Sequence, residues 1–109
     1  MIDTQQMEER TMQLVVDAGN AKSKAMEAMA AAKKGEFAQA EALLAESGAS
    51  LTKAHQNQTE IIQDSLEEND LPVTLIMAHA EDHMMGAILA KDFAREIIDL
   101  HKLIKKNKE

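Results

Sequence analysis

The sequence predicts an all-α protein, an antiparallel up-down-up three-helix bundle, and three observations predict it. Apolar residues recur at alternating spacings of three and four along most of the chain, the rhythm of helices packed along their length. They make up 45% of the 109 residues but include only two aromatics, Phe37 and Phe93, so the core is built from Leu, Ile, Met and Ala. The breaks between periodic segments are short, and short connections join antiparallel neighbours. By length, residues 1–109 form one domain.

The first helix is expected from about Thr4 to Lys34. Its seam of Leu14, Ala18, Ala21, Ala25, Ala28 and Ala32 is mostly small, which lets a neighbouring helix come close. Gly35 ends it, being the residue type that most easily takes left-handed backbone after a helix. The second helix, from near Glu36 to about Leu66, aligns Phe37, Ala40, Leu44, Ser47, Leu51, Ala54, Gln58 and Ile61. Gly48 costs about 1 kcal/mol in a helix interior, but the rhythm keeps its phase across it, so a single helix is expected. The polar string EEND follows. The third helix is expected from around Pro72, tolerated in a first turn because its missing N–H would be unpaired there anyway, nearly to Glu109. Its seam reads Leu71, Leu75, Ala78, Asp82, Met85, Leu89 and Phe93, then Ile97, Leu100 and Ile104.

Composition excludes several functions. Without cysteine there is no disulfide, thiolate metal site or thiol chemistry. No apolar run approaches the roughly 20 residues of a membrane span, which predicts a soluble, intracellular protein. A net charge of −7 repels phosphate backbones, and no basic patch interleaved with aromatics appears, so nucleic acid is not an expected partner. The basic end, KLIKKNKE, has a plain explanation in the attraction of cations to a helix C-terminus.

The stretch LIMAHAEDHMMGAIL, residues 75–89, carries the chemistry. At 100° per residue, Asp82 lies near the middle of the apolar stripe, with His79 and His83 roughly 60° and 100° to one side. A lone desolvated carboxylate costs several kcal/mol unless something compensates. Either the seam is wet there, with Asp82 bonded to a histidine, or the third helices of several copies meet on an axis. Converging carboxylates would then share protons or hold a hard ion such as Mg²⁺. His79 and His83, one turn apart, suit three chemistries: zinc ligation, although the H-E-x-x-H pattern is absent; acid/base catalysis, although no substrate-gripping loop is evident; or a phosphoryl carrier, in which neutral imidazole attacks phosphorus. Spacing alone leaves these open beside two ordinary surface histidines.

The run HAEDHMM, preceded by LPVTLIMA and followed by KDFAREIIDLH, resembles the active-site helix of the lactose/cellobiose-specific enzyme IIA components of the bacterial phosphotransferase system, whose usual pattern is HAQDHLM. Upstream, DAGNAKSKAMEAM is similar to that family's first helix with its Gly-x-Ala signature, KKGEFAQAEALL to its first turn and second-helix start, and AHQNQTEII to its AHxxQT segment. The likeness covers nearly the whole chain in order.

The resemblance implies a cytoplasmic phosphocarrier. It would accept phosphate from the phosphocarrier protein HPr and pass it to a cysteine of the cognate enzyme IIB, energising uptake of a β-linked disaccharide through membrane enzyme IIC, with no membrane insertion of its own. By the same resemblance the phosphorylated atom falls on Nε2 of His79, and His83 supports the phosphoryl group. Asp82 falls on the aspartate that shares a metal, Mg²⁺ or a similar divalent ion, across the axis of a nine-helix homotrimer. Glu81 departs from the family's usual Gln, replacing an amide donor by a charge. His55 and Gln58, in the AHxxQT match, either line the pocket or complete a buried polar contact, and the structural role is the one expected. The competing readings are a metal-binding bundle, with His79, His83 and Asp82 as ligands, and a non-enzymatic helical interaction module.

Overall fold

Each break in the chain is set by a few hydrogen bonds that the sequence supplies. A computed structural model describes residues 4–67 and 73–109 as three helices: α1 (Thr4–Lys33), α2 (Phe37–Glu67) and α3 (Leu75–Lys108). At the end of α1, Gly35 takes φ +81°. Its N–H donates to the Ala32 carbonyl and that of Glu36 to the Ala31 carbonyl, both at 3.0 Å, which is the paired-bond close that a left-handed residue permits. The Glu36 carbonyl then accepts from Ala40 N, so α2 starts at once. Gly48 does not break α2. At α3, Thr74 is the cap, its Oγ1 accepting from Met77 N at 3.2 Å. The helix therefore starts at Leu75, later than the Pro72 start expected; Pro72, Leu71 and the END of the EEND string lie outside the described residues.

The cross-links show the directions. Arg10 pairs with Asp64, Ser47 Oγ donates to the Ala21 carbonyl at 2.7 Å, and Lys24 reaches Glu46 at 3.6 Å. Rising numbers on α1 meet falling numbers on α2, so the two are antiparallel. Gln58 with Glu81 and Glu41 with Arg95 make α2 and α3 antiparallel as well. The result is the expected up-down-up bundle, a rod of 61 × 18 × 16 Å.

The core follows α1. Its seam of Leu14, Ala18, Ala21, Ala25, Ala28 and Ala32 is buried throughout, with Met7 and Thr11 extending it. Small side chains there let α2 and α3 both pack against α1, while α2 and α3 touch each other less. On α2, Ala40, Leu44, Ser47, Leu51, Ala54 and Ile61 are buried as expected, with Phe37 and Gln58 half-buried.

The third seam differs. Inside the bundle α3 buries Ala80, Met84, Ala87, Ala94 and Ile98, a row centred roughly 150° around the helix from Asp82. The stripe expected to face the core is on the outside: Met85, Leu89, Phe93 and Leu100 are all more than half exposed, with Phe93 at 56%. Asp82 itself is exposed. It is therefore not desolvated within one chain. The physical reason for the mismatch is that α3 has two apolar faces, and the inner one, built mainly on alanine, gives the weaker hydrophobic signal.

Candidate functional site

The sequence-predicted residues fall into two groups on opposite flanks of α3. On one flank, the i, i+4 spacing brings His79 and His83 into contact: their Nε2 atoms are 3.0 Å apart, with ring centroids 4.4 Å apart and planes at 83°. Two ring nitrogens at that distance need one hydrogen between them, so one ring presents N–H and the other a lone pair. His79 is the exposed member and His83 the half-buried one. Anchoring comes from beneath, because Ala80 and Met84, next to each histidine in sequence, are held in the core. The arrangement holds two ring nitrogens within one hydrogen bond of each other, one of them on an exposed ring, so that releasing the bond would free a lone pair with an N–H donor one turn away.

On the other flank Glu81 turns about 160° from His79. Gln58 Nε2 on α2 donates to both of its carboxylate oxygens at 2.6 Å. Gln58 thus makes a polar contact, but an exposed one rather than the buried one expected, and its partner is a residue the sequence did not single out for it, 23 positions away. Glu81 and Gln58 also edge an apolar groove of about 550 Å³ above Leu14, between Ile61, Ile62 and Leu66 of α2 and Met77 of α3. His55 sits on α2 beside a second groove with Met84 and Lys91, and its ring has no hydrogen-bond partner among the described residues. Neither His55 nor Gln58 joins the histidine pair.

Asp82 lies between the flanks, on the exposed apolar stripe, with no hydrogen-bond or ion-pair partner among the described residues. His79, Asp82 and His83 do not converge: among the described residues no three His, Asp or Glu side chains are grouped to hold an ion. One carboxylate is too few donors for a divalent cation. Asp82 fits such an ion only when further copies of the chain supply further oxygens, and its place on an uncovered apolar stripe allows that. No described helix is long and apolar enough to cross a membrane.

Comparison with known proteins adds to this geometry. The family described as PTS system, Lactose/Cellobiose specific IIA subunit, PTS being the phosphotransferase system, matches residues 9–102. The chain is 43% identical over 100 residues to a lichenan-specific phosphotransferase enzyme IIA component of Bacillus subtilis, covering 92% of this chain and 91% of that one. Its fold superposes with a TM-score of 0.88 on the cellobiose-specific enzyme IIA of Bacillus anthracis, at 37% identity, covering 97% and 95% of the two chains. A TM-score of 0.81 at 37% identity, covering 91% and 96%, relates it to the IIA(Chitobiose) in a complex with HPr from the N,N'-diacetylchitobiose branch of the Escherichia coli system. With a three-helix fold and sequence likeness along most of its length in agreement, the chain belongs to the lactose/cellobiose-specific IIA family and is a phosphotransferase component.

Proposed function

We propose that this protein is a cytoplasmic phosphoryl carrier that takes phosphate from HPr onto Nε2 of His79 and hands it to a cysteine of its cognate enzyme IIB. The observation that carries the reading is the 3.0 Å contact between the two Nε2 atoms, with His79 the exposed ring. In the resting state His83 Nε2–H donates to His79 Nε2, which keeps the His79 proton on Nδ1 but occupies the one lone pair of Nε2. As the donor's phosphohistidine docks, His83 moves its hydrogen bond from the His79 ring to a phosphoryl oxygen and frees that lone pair, which attacks the phosphorus. The new N–P bond forms as the donor's N–P bond breaks, and the departing electron pair returns to the donor imidazole. In the second half-reaction a thiolate of enzyme IIB attacks the same phosphorus and the pair returns to His79. Transfer between groups of similar potential asks mainly for in-line positioning and charge stabilisation. The Gln58 contact, which holds the Glu81 carboxylate on the far flank, keeps a like charge away from the phosphoryl group.

The likeness to an IIA component found in complex with HPr supports the donor. Relatives named for lichenan, cellobiose and N,N'-diacetylchitobiose support a β-linked sugar as the cargo of the associated enzyme IIC. The exposed row Met85, Leu89, Phe93 and Leu100 supports a homotrimer with α3 at the axis. There Asp82 of each copy would hold a divalent ion such as Mg²⁺, which when bound neutralises the converging carboxylates and takes no part in phosphoryl transfer. The test is intact mass after incubation with phosphoenolpyruvate, enzyme I and HPr. One acid-labile phosphate on the wild type, discharged by enzyme IIB and absent from His79→Gln, is expected. No gain on the wild type, with the donors active on a control acceptor, would return function to a helical interaction module.

A further inference from the structure

The charge of this acidic chain is strongly polarised. At the end of the rod remote from His79 and His83, residues 33–37 and 101–109 carry six lysines (Lys33, Lys34, Lys102, Lys105, Lys106 and Lys108) against two glutamates, Glu36 and Glu109. That is a balance of +4 in a chain of net −7, so the remainder carries −11. A helix C-terminus attracts cations, but this effect reaches only the last turn of one helix, whereas the cluster joins the α1–α2 turn to the end of α3. Lys105 of α3 lies 5.6 Å from the Phe37 ring of α2, and Ile104 shares a groove of about 410 Å³ with Lys33 and Lys34. All six lysines are exposed; among the described residues Lys102 alone of the six is ion-paired, to Glu41.

We propose that this basic pole docks the protein on an anionic membrane surface. The chemistry of the patch favours a planar, diffuse anion over a specific one: the pole holds lysines only, and the guanidinium fork that grips a single carboxylate or phosphate in two bonds is absent from it. The exposed Leu103 and Ile104 interleave with the lysines in KLIKK, giving the basic, amphipathic character of a surface-seeking helix end. Of the acids near the pole, Glu41 and Asp99 are ion-paired to Arg95 and Lys102, and the acids at the histidine end are too far away to cancel the attraction. Glu81 and Asp82 lie more than 20 residues before Lys105, roughly 30 Å along α3, several times the screening length of about 8 Å at physiological salt. Docked on this pole, the rod directs its histidine end away from the lipid, where a protein partner has access.

The experiment is sedimentation of the full chain with vesicles of phosphatidylcholine alone or with one-third phosphatidylglycerol, at low salt and at 0.5 M salt. Each lysine near such a surface multiplies partitioning about fivefold, so Lys34→Gln/Lys105→Gln should bind the anionic vesicles at least about tenfold more weakly than the wild type. Lys22→Gln/Lys53→Gln, with the same net charge but both substitutions away from the pole, should bind like the wild type. Circular dichroism confirms that each variant is folded. Wild-type binding to anionic vesicles that is lost in high salt and on neutral lipid bears the proposal out. Failure to sediment with anionic vesicles, equal weakening in both variants, or retention by an acidic polyglutamate peptide with none by vesicles would each overturn it.

Discussion

At the residue scale, the proposed transfer rests on two imidazoles that differ in exposure. His79 is the open ring and His83 the half-buried one, in contact through Nε2. His79→Gln should abolish phosphate acceptance while leaving helicity unchanged. His83→Gln keeps a side chain able to donate a hydrogen bond but displaces it, and should slow acceptance about 10- to 100-fold, less than the roughly 100- to 1,000-fold of losing a stabilising donor outright; stopped-flow transfer from HPr measures it. Both histidines were legible in the sequence because an i, i+4 pair needs only helical periodicity to be recognised. The Gln58–Glu81 contact was not, because it joins positions 23 apart on two helices whose relative rotation no local pattern encodes.

At the scale of the elements, α2 is fixed to α3 at its first turns by charge. Arg95 makes two bonds to Glu41, at 2.6 and 2.7 Å, and Lys102 adds a third at 3.1 Å. These bonds, those of Arg95 foremost, hold the Glu41 carboxyl below the usual range, at about 2. A carboxyl lowered on folding contributes stability above its unfolded value of 4.5 and loses it as pH falls towards 2. Thermal unfolding should therefore weaken across that window, and Glu41→Gln should flatten the decline by no more than about 1 kcal/mol, since the network is over a third exposed. Gly48 gives a prediction of opposite sign. An added Cβ would meet only Lys91, its Cε at 3.3 Å, and that flexible chain can give way. Gly48→Ala should stabilise by about 0.5–1 kcal/mol through helix propensity, read from urea midpoints. The seams of α1 and α2 were legible because their regular three-four rhythm marks the face that is inside, although Met12, Val16 and Met26 of α1 and Ile62 and Leu66 of α2 stay exposed. On α3 the larger side chains, Met85, Leu89, Phe93 and Leu100, are outside and the alanines inside, so periodicity identified the stripe but assigned it to the wrong neighbour. The start of α3 was read from Pro72, whereas the Thr74 hydroxyl makes the cap.

For the whole molecule, an uncovered apolar row along a 34-residue helix calls for a partner surface, and Asp82 is its one charged interruption between Ala78 and Leu89. If α3 lies on a threefold axis, three carboxylates repel each other there in the absence of metal. Asp82→Leu should then preserve or strengthen the trimer, by sedimentation equilibrium with and without chelator. Dissociation of that variant to monomers would show the carboxylate to be an essential bridge instead. Such an axis was anticipated from the sequence through the oddity of a carboxylate in an apolar stripe, even though the stripe's position inside the bundle was misread.

The most direct test is nitrogen-15 resonance of the imidazoles before and after phosphorylation by HPr. The account predicts phosphorus coupling at Nε2 of His79 alone, with the His83 Nε2–H retained and shifted. Coupling at Nδ1, at His83 or at His55, or no coupling while HPr remains competent on a control acceptor, would contradict it.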